Sequence, residues 1–199
     1  MENSSTDILT NMKTLLVDNG SIHIENLAKL VSFNNCDIEE VSYREIPDNL
    51  EGFKLVILSG SSDFNVNNHK DKFTKEIKLI NSGIPVIGIC FGFELIVKAS
   101  GQNITRMTNK VKGEFEVEKL SNNVIFKNID CLKVYEAHRY SVETVEKPLI
   151  PLAKSKYGIE IIKHEILPVY GLQFHPEELT DKLTGDELFA NILEALKSS

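Results

Sequence analysis

The chain has no tryptophan, only three cysteines, no apolar run long enough to cross a bilayer and no block of basic residues. Each absence removes a class of function. Cys36, Cys90 and Cys131 are odd in number and far apart, which argues against a disulfide framework or a cysteine-based zinc site and suits reduced thiols. A net charge of −7 without a basic cluster argues against nucleic-acid and membrane-surface binding and favours small-molecule chemistry. The opening Met1-Glu2-Asn3-Ser4-Ser5 lacks the charged and apolar regions of a signal peptide, so a cytoplasmic location is expected. His23, His69, His138, His164 and His175 show no ligand spacing with cysteine or acidic residues, and no phosphate loop is present. The sequence therefore predicts neither a metal nor a cofactor.

What is there suits one domain. Residues 1–12 form a polar stretch without periodicity, expected to be a flexible extension, and 13–199 carry an even spread of apolar runs sufficient for a single core. Through about residue 100 strands and helices alternate. Strands are expected at 14–17, 37–43, 55–58 and 84–87, and helices at 24–33, 69–81 and 93–99. That alternation predicts a doubly wound, flavodoxin-like, mainly parallel α/β sheet, whose ligands bind beyond the carboxyl ends of its strands. Short alternating runs at 113–120, 132–135, 158–163 and 169–174 predict an antiparallel extension, and an amphipathic helix over 182–196 closes the chain.

Gly88-Ile89-Cys90-Phe91-Gly92 stands at one strand-to-helix switch. Glycines two positions to either side of Cys90 permit a sharp bend, and the helix N-terminus beyond it favours a thiolate. A thiol nucleophile needs a base, and the base an orienting carboxylate. His175-Pro176-Glu177 follows an apolar strand, and in an extended backbone the two-residue spacing puts imidazole and carboxylate on one side. The pair then serves both ring nitrogens.

Gly-Ile-Cys-Phe-Gly and Gln-Phe-His-Pro-Glu together resemble the two signatures of the class I glutamine amidotransferases, and Leu15 to Gly20 resembles that family's first strand and turn. The resemblance implies Cys90 as nucleophile, His175 as general base and acid, Glu177 as the orienting carboxylate, and a γ-glutamyl thioester intermediate. It implies an oxyanion hole from the backbone of Phe91 and Gly60. Val134 to Val142 is similar to the family's glutamine-holding segment, which places Arg139 and Tyr140 in substrate binding.

That segment and the stretch 161–174 look most like the glutaminase subunits of GMP synthases, with anthranilate synthase component II next. The implied substrate is glutamine, and the implied partner is a separate synthetase polypeptide that accepts the ammonia. Two departures stand out. Glu94 and Phe93 occupy positions where the family usually has glutamine and often histidine, and Ser59-Gly60-Ser61-Ser62 lacks a second consecutive glycine. A carboxylate at 94 removes amide donors and adds charge beside the substrate. These departures leave room for a γ-glutamyl peptidase using the same three side chains on another γ-glutamyl compound, or for a catalytically weak regulatory or binding subunit.

Overall fold

A computed structural model describes residues 11–64, 73–180 and 182–198. Residues 1–10 of the expected extension, and 69–72 of the expected helix 69–81, lie outside the described residues. Met12, grouped with the extension on composition, opens β1 (Met12–Asp18), which continues into α1 (Ile24–Phe33), β2 (Cys36–Ser42), β3 (Leu55–Leu58), α2 (Thr74–Ile80), β4 (Val86–Ile89) and α3 (Phe91–Ala99). The second half comprises β5 (Thr105–Arg106), β6 (Gly113–Lys119), β7 (Leu132–Glu136), β8 (Tyr140–Ser141), β9 (Leu149–Ser155), β10 (Gly158–His164), β11 (Val169–Leu172) and α4 (Gly185–Lys197). Among the described residues the main sheet has nine strands in the order β2-β1-β3-β4-β11-β10-β9-β6-β7, and β5 pairs with β8 apart from it.

Every residue of β3 and β4 is buried, as expected for parallel strands covered on both faces. Their side chains alternate between two cores. Leu55, Ile57 and Ile87 meet Leu27, Leu30 and Val31 of α1 and Leu188, Phe189 and Ile192 of α4. Val56, Leu58 and Val86 meet Leu79 and Ile80 of α2 and Leu95, Ile96 and Val97 of α3. Helices thus cover both faces of a five-stranded parallel core with an antiparallel wing, the doubly wound arrangement that the sequence pattern predicts.

Two details differ from the sequence reading. β11, grouped with the antiparallel strands, pairs antiparallel with β10 but parallel with β4, Leu172 lying opposite Ile89. It is the hinge strand between core and wing, and it brings the end of the wing alongside Cys90. β9 has no counterpart in the alternation pattern, because Pro151 interrupts it. The strand still pairs with β10, where Pro151 lies opposite Ile162 at a register irregularity that absorbs the missing N–H.

Candidate active site

Cys90 is the residue between β4 and α3, and its backbone carries the strain of the turn: φ is 50° and ψ −96°. A non-glycine residue held at positive φ needs surroundings that over-determine it. The flanking glycines do this by letting chains approach. A Cβ on Gly88 would lie 2.5 Å from the Gly92 carbonyl carbon, and one on Gly92 would lie 2.4 Å from the Leu58 carbonyl oxygen. The glycines thus serve close packing of α3 on β3 and β4, while the left-handed backbone falls on cysteine itself. The Cys90 N–H donates to the Leu172 carbonyl at 2.7 Å, locking the elbow to β11.

That bond explains how His175 arrives. It lies three residues beyond β11, its own N–H bound to the Tyr135 carbonyl, and its ring lines the same cavity wall as Cys90. His175 Nδ1 lies 2.8 Å from Glu177 Oε1, both side chains being buried. Burial alone would push the imidazole's pKa down. The charges of Glu177 and Cys90, with the hydrogen bond to Glu177, outweigh it and hold His175 well above its ordinary value. The three residues singled out in the sequence are therefore brought together, Cys90 and His175 on one cavity wall and Glu177 bound behind the imidazole.

Phe91, as the first residue of α3 directly after Cys90, has an N–H without an intrahelical acceptor. Gly60 lies across the site: a Cβ there would sit 3.2 Å from His175 Cε1 and 3.6 Å from Cys90 Cβ. Ser59 braces this loop, accepting from the Asn19 N–H at 2.9 Å and donating to the Gly60 carbonyl at 2.8 Å. Cys90, Phe91, Glu94, Arg139, Tyr140 and His175 line one cavity of about 310 Å³. Arg106 and Lys110 add positive charge to its wall, a feature no local motif announces.

Glu94 is only 4% exposed. Burial pushes its pKa up to about 8, against the lowering effect of a hydrogen bond from the Gln173 side chain. At neutral pH it is therefore predominantly a carboxylic acid rather than the charged group its sequence position suggests. Gln173, within the motif Gln-Phe-His-Pro-Glu, also directs its side-chain amide toward Cys90 Sγ at 3.9 Å.

Sequence patterns give no hint of two further groupings. His23 stacks tilted against His175 with ring centroids 4.9 Å apart, and its Nδ1 meets Glu178 at 2.5 Å. Glu177 and Glu178 are thus each paired with a different histidine. Deeper in, Glu136, His138 and Glu160 converge, all buried. Their spacing of two residues and then twenty-two carries no motif.

The family model for class-I glutamine amidotransferases matches residues 15–195. The chain is 27% identical over 184 residues to the glutamine-hydrolyzing GMP synthase subunit of Thermococcus kodakarensis, covering 90% of this chain and 96% of that protein. It is 30% identical over 172 residues to the corresponding protein of Pyrococcus abyssi, covering 82% of this chain and 88% of that one. The fold is similar to that of a glutamine amidotransferase from Thermotoga maritima, with a TM-score of 0.74 at 21% identity over 94% of this chain and 99% of the other. The sequence match over nearly its whole length means that this chain belongs to the class I glutamine amidotransferase family.

Proposed function

We propose that this enzyme hydrolyses glutamine as the amidotransferase component of a GMP synthase-type enzyme and passes the ammonia to a synthetase carried on a separate polypeptide. The observation that carries this reading is the strained Cys90 sharing one cavity with a His175 that is itself bound to Glu177 at 2.8 Å. The relatives in which glutamine hydrolysis for GMP synthase sits on its own subunit support the assembly, since the chain spans 96% of the Thermococcus kodakarensis protein.

The chemistry follows from the groups in place. Cys90 Sγ, its proton held by His175, attacks the side-chain carbonyl carbon of glutamine. The C=O π electrons move to oxygen, and the Phe91 and Gly60 N–H groups stabilise the oxyanion, each worth about 2.7–4 kcal/mol in sites of this kind. On collapse the C–N bond breaks and the His175 proton goes to the departing nitrogen, leaving ammonia and a γ-glutamyl thioester. Water then attacks the thioester, its proton passing to His175, and glutamate leaves as the sulfur recovers its proton. Glu177 holds the imidazole orientation and stabilises the imidazolium in both halves. Arg139 and Tyr140, on the cavity wall with Glu94, orient the amino-acid end of the substrate.

The test is covalent. A glutamine-derived diazoketone incubated with the chain, alone and with a candidate synthetase, is expected to add one label at Cys90, located by peptide mass spectrometry. Labelling absent under both conditions, or found only at Cys36 or Cys131, would refute glutamine use. Glutamate release from γ-glutamyl peptides but not from glutamine would replace the substrate assignment.

A further inference from the structure

The geometry points to a binding site for a divalent transition-metal cation of the zinc class, formed by Glu136, His138 and Glu160 behind the wall of the active-site cavity. One donor atom from each residue lies within 4.8 Å of the others, and the residues are 0%, 3% and 1% exposed. Glu136 ends β7, His138 follows in the next loop, and Glu160 comes from β10.

The donor set is arranged for a cation. His138 Nδ1 lies 2.6 Å from the Tyr140 carbonyl oxygen, which can only accept, so Nδ1 carries a proton and Nε2 faces the carboxylates. A ring nitrogen fixed through its partner's N–H to a backbone carbonyl is the usual outer-shell support of a metal-bound histidine. The Nε2 to Glu136 Oε2 separation is 3.3 Å. That is long for a charge-assisted hydrogen bond, which runs to about 2.7–2.9 Å. It matches the edge of a tetrahedron around zinc, about 3.3–3.4 Å for metal–ligand bonds of about 2.0–2.1 Å.

Two further acceptors wait at the same place. Glu136 Oε1 and Glu160 Oε2 are buried with no hydrogen-bond partner among the described residues, although Ser155 donates to Glu160 Oε1 at 2.7 Å. An unsatisfied buried carboxylate oxygen is costly, and so are two adjacent carboxylates facing one imidazole. Among the described residues no lysine or arginine pairs with either glutamate, so a divalent cation would balance the charge both carboxylates carry as its ligands. Mixed imidazole and carboxylate donors select zinc-class ions over magnesium or calcium.

The consequence reaches the chemistry without depending on the reaction assigned above. His138 lines the active-site cavity, and the Glu160 carbonyl accepts the Gln173 N–H at 2.9 Å, next to Cys90. A cation here would clamp the loop bearing Arg139 and Tyr140 to the central sheet.

The experiment uses the full chain carrying Cys90→Ser and Cys131→Ser, which removes two thiols that would compete for zinc, stripped with chelator and titrated with zinc chloride in a calorimeter. One zinc per chain is expected, with Glu160→Gln and Glu136→Gln each weakening binding about tenfold or more. Cobalt(II) in its place should give visible d–d bands without a thiolate charge-transfer band, and zinc should raise the melting temperature of the parent but not of Glu160→Gln. Both substitutions put a neutral amide of the same shape in place of the carboxylate, so either variant suffices if the other does not fold. Absence of stoichiometric binding, or binding that survives both substitutions, would overturn the site.

Discussion

Glu94→Gln tests whether burial really keeps this carboxyl neutral. The side chain sits inside α3 against Gln173, and its pKa of about 8 compares with 4.5 for an exposed glutamate. Folded chain binds this proton more tightly than unfolded chain does, so the stabilisation is complete below about pH 4.5 and is lost as pH rises through about 8. The full span corresponds to about 5 kcal/mol, at about 1.4 kcal/mol per pKa unit. Most of that range is hard to sample, but between pH 6 and 8 the loss is still about 2 kcal/mol.

Glutamine at 94 cannot ionise, so the variant escapes this loss. Urea unfolding of both proteins at pH 6 and pH 8 is the assay. The stability difference between variant and parent should move by about 2 kcal/mol in favour of the variant over that interval. Glu160, also raised to about 7 by burial and by Glu136, contributes its own slope to both proteins and cancels in the difference. Parallel pH profiles would refute the reasoning, because they require Glu94 to be ionised and solvated in the folded chain. Turnover gives a second readout: Glu94→Gln should match the parent's kcat/KM for glutamine near pH 6.5 and exceed it above pH 8, where the parent acquires a negative charge in the cavity.

Glu177→Gln removes the charge that holds His175 high, so the His175 pKa followed by NMR should fall and glutaminase kcat should drop by about 10²–10⁴; an unmoved imidazole titration would refute the coupling. Gly92→Ala forces a Cβ to 2.4 Å from the Leu58 carbonyl oxygen and should cost about 1–3 kcal/mol in urea unfolding; an unchanged midpoint would show that α3 shifts freely. Gly60→Ala crowds His175 Cε1 at 3.2 Å and meets Cys90 Cβ at an ordinary 3.6 Å, so it should leave the melting temperature nearly unchanged while lowering kcat/KM about tenfold through displacement of the imidazole. Full activity in that variant would remove Gly60 from the catalytic wall.

Local sequence determines much of this protein. The all-apolar β3 and β4, the 3.6-residue periodicity of α1 and α4, and the symmetric glycines around Cys90 each encode their own structure. Their information lies within a few residues, at the range where backbone sterics and side-chain periodicity act. His175 and Glu177 are readable as a pair but not in their backbone: the extended conformation expected from the spacing is instead a turn, closed by the Glu178 N–H to the His175 carbonyl at 3.2 Å, and within it imidazole and carboxylate still meet at 2.8 Å. Folding had to decide the rest. β11 became parallel to β4 because strand direction depends on which edge a returning chain meets, and Pro151 did not prevent β9 from pairing because a bulge could absorb it. Glu94 reads as a charge in the sequence and is an acid in the fold, since desolvation comes from atoms contributed by distant segments. The gathering of Glu136, His138 and Glu160 is likewise a product of sheet order, which joins residues that no spacing rule connects.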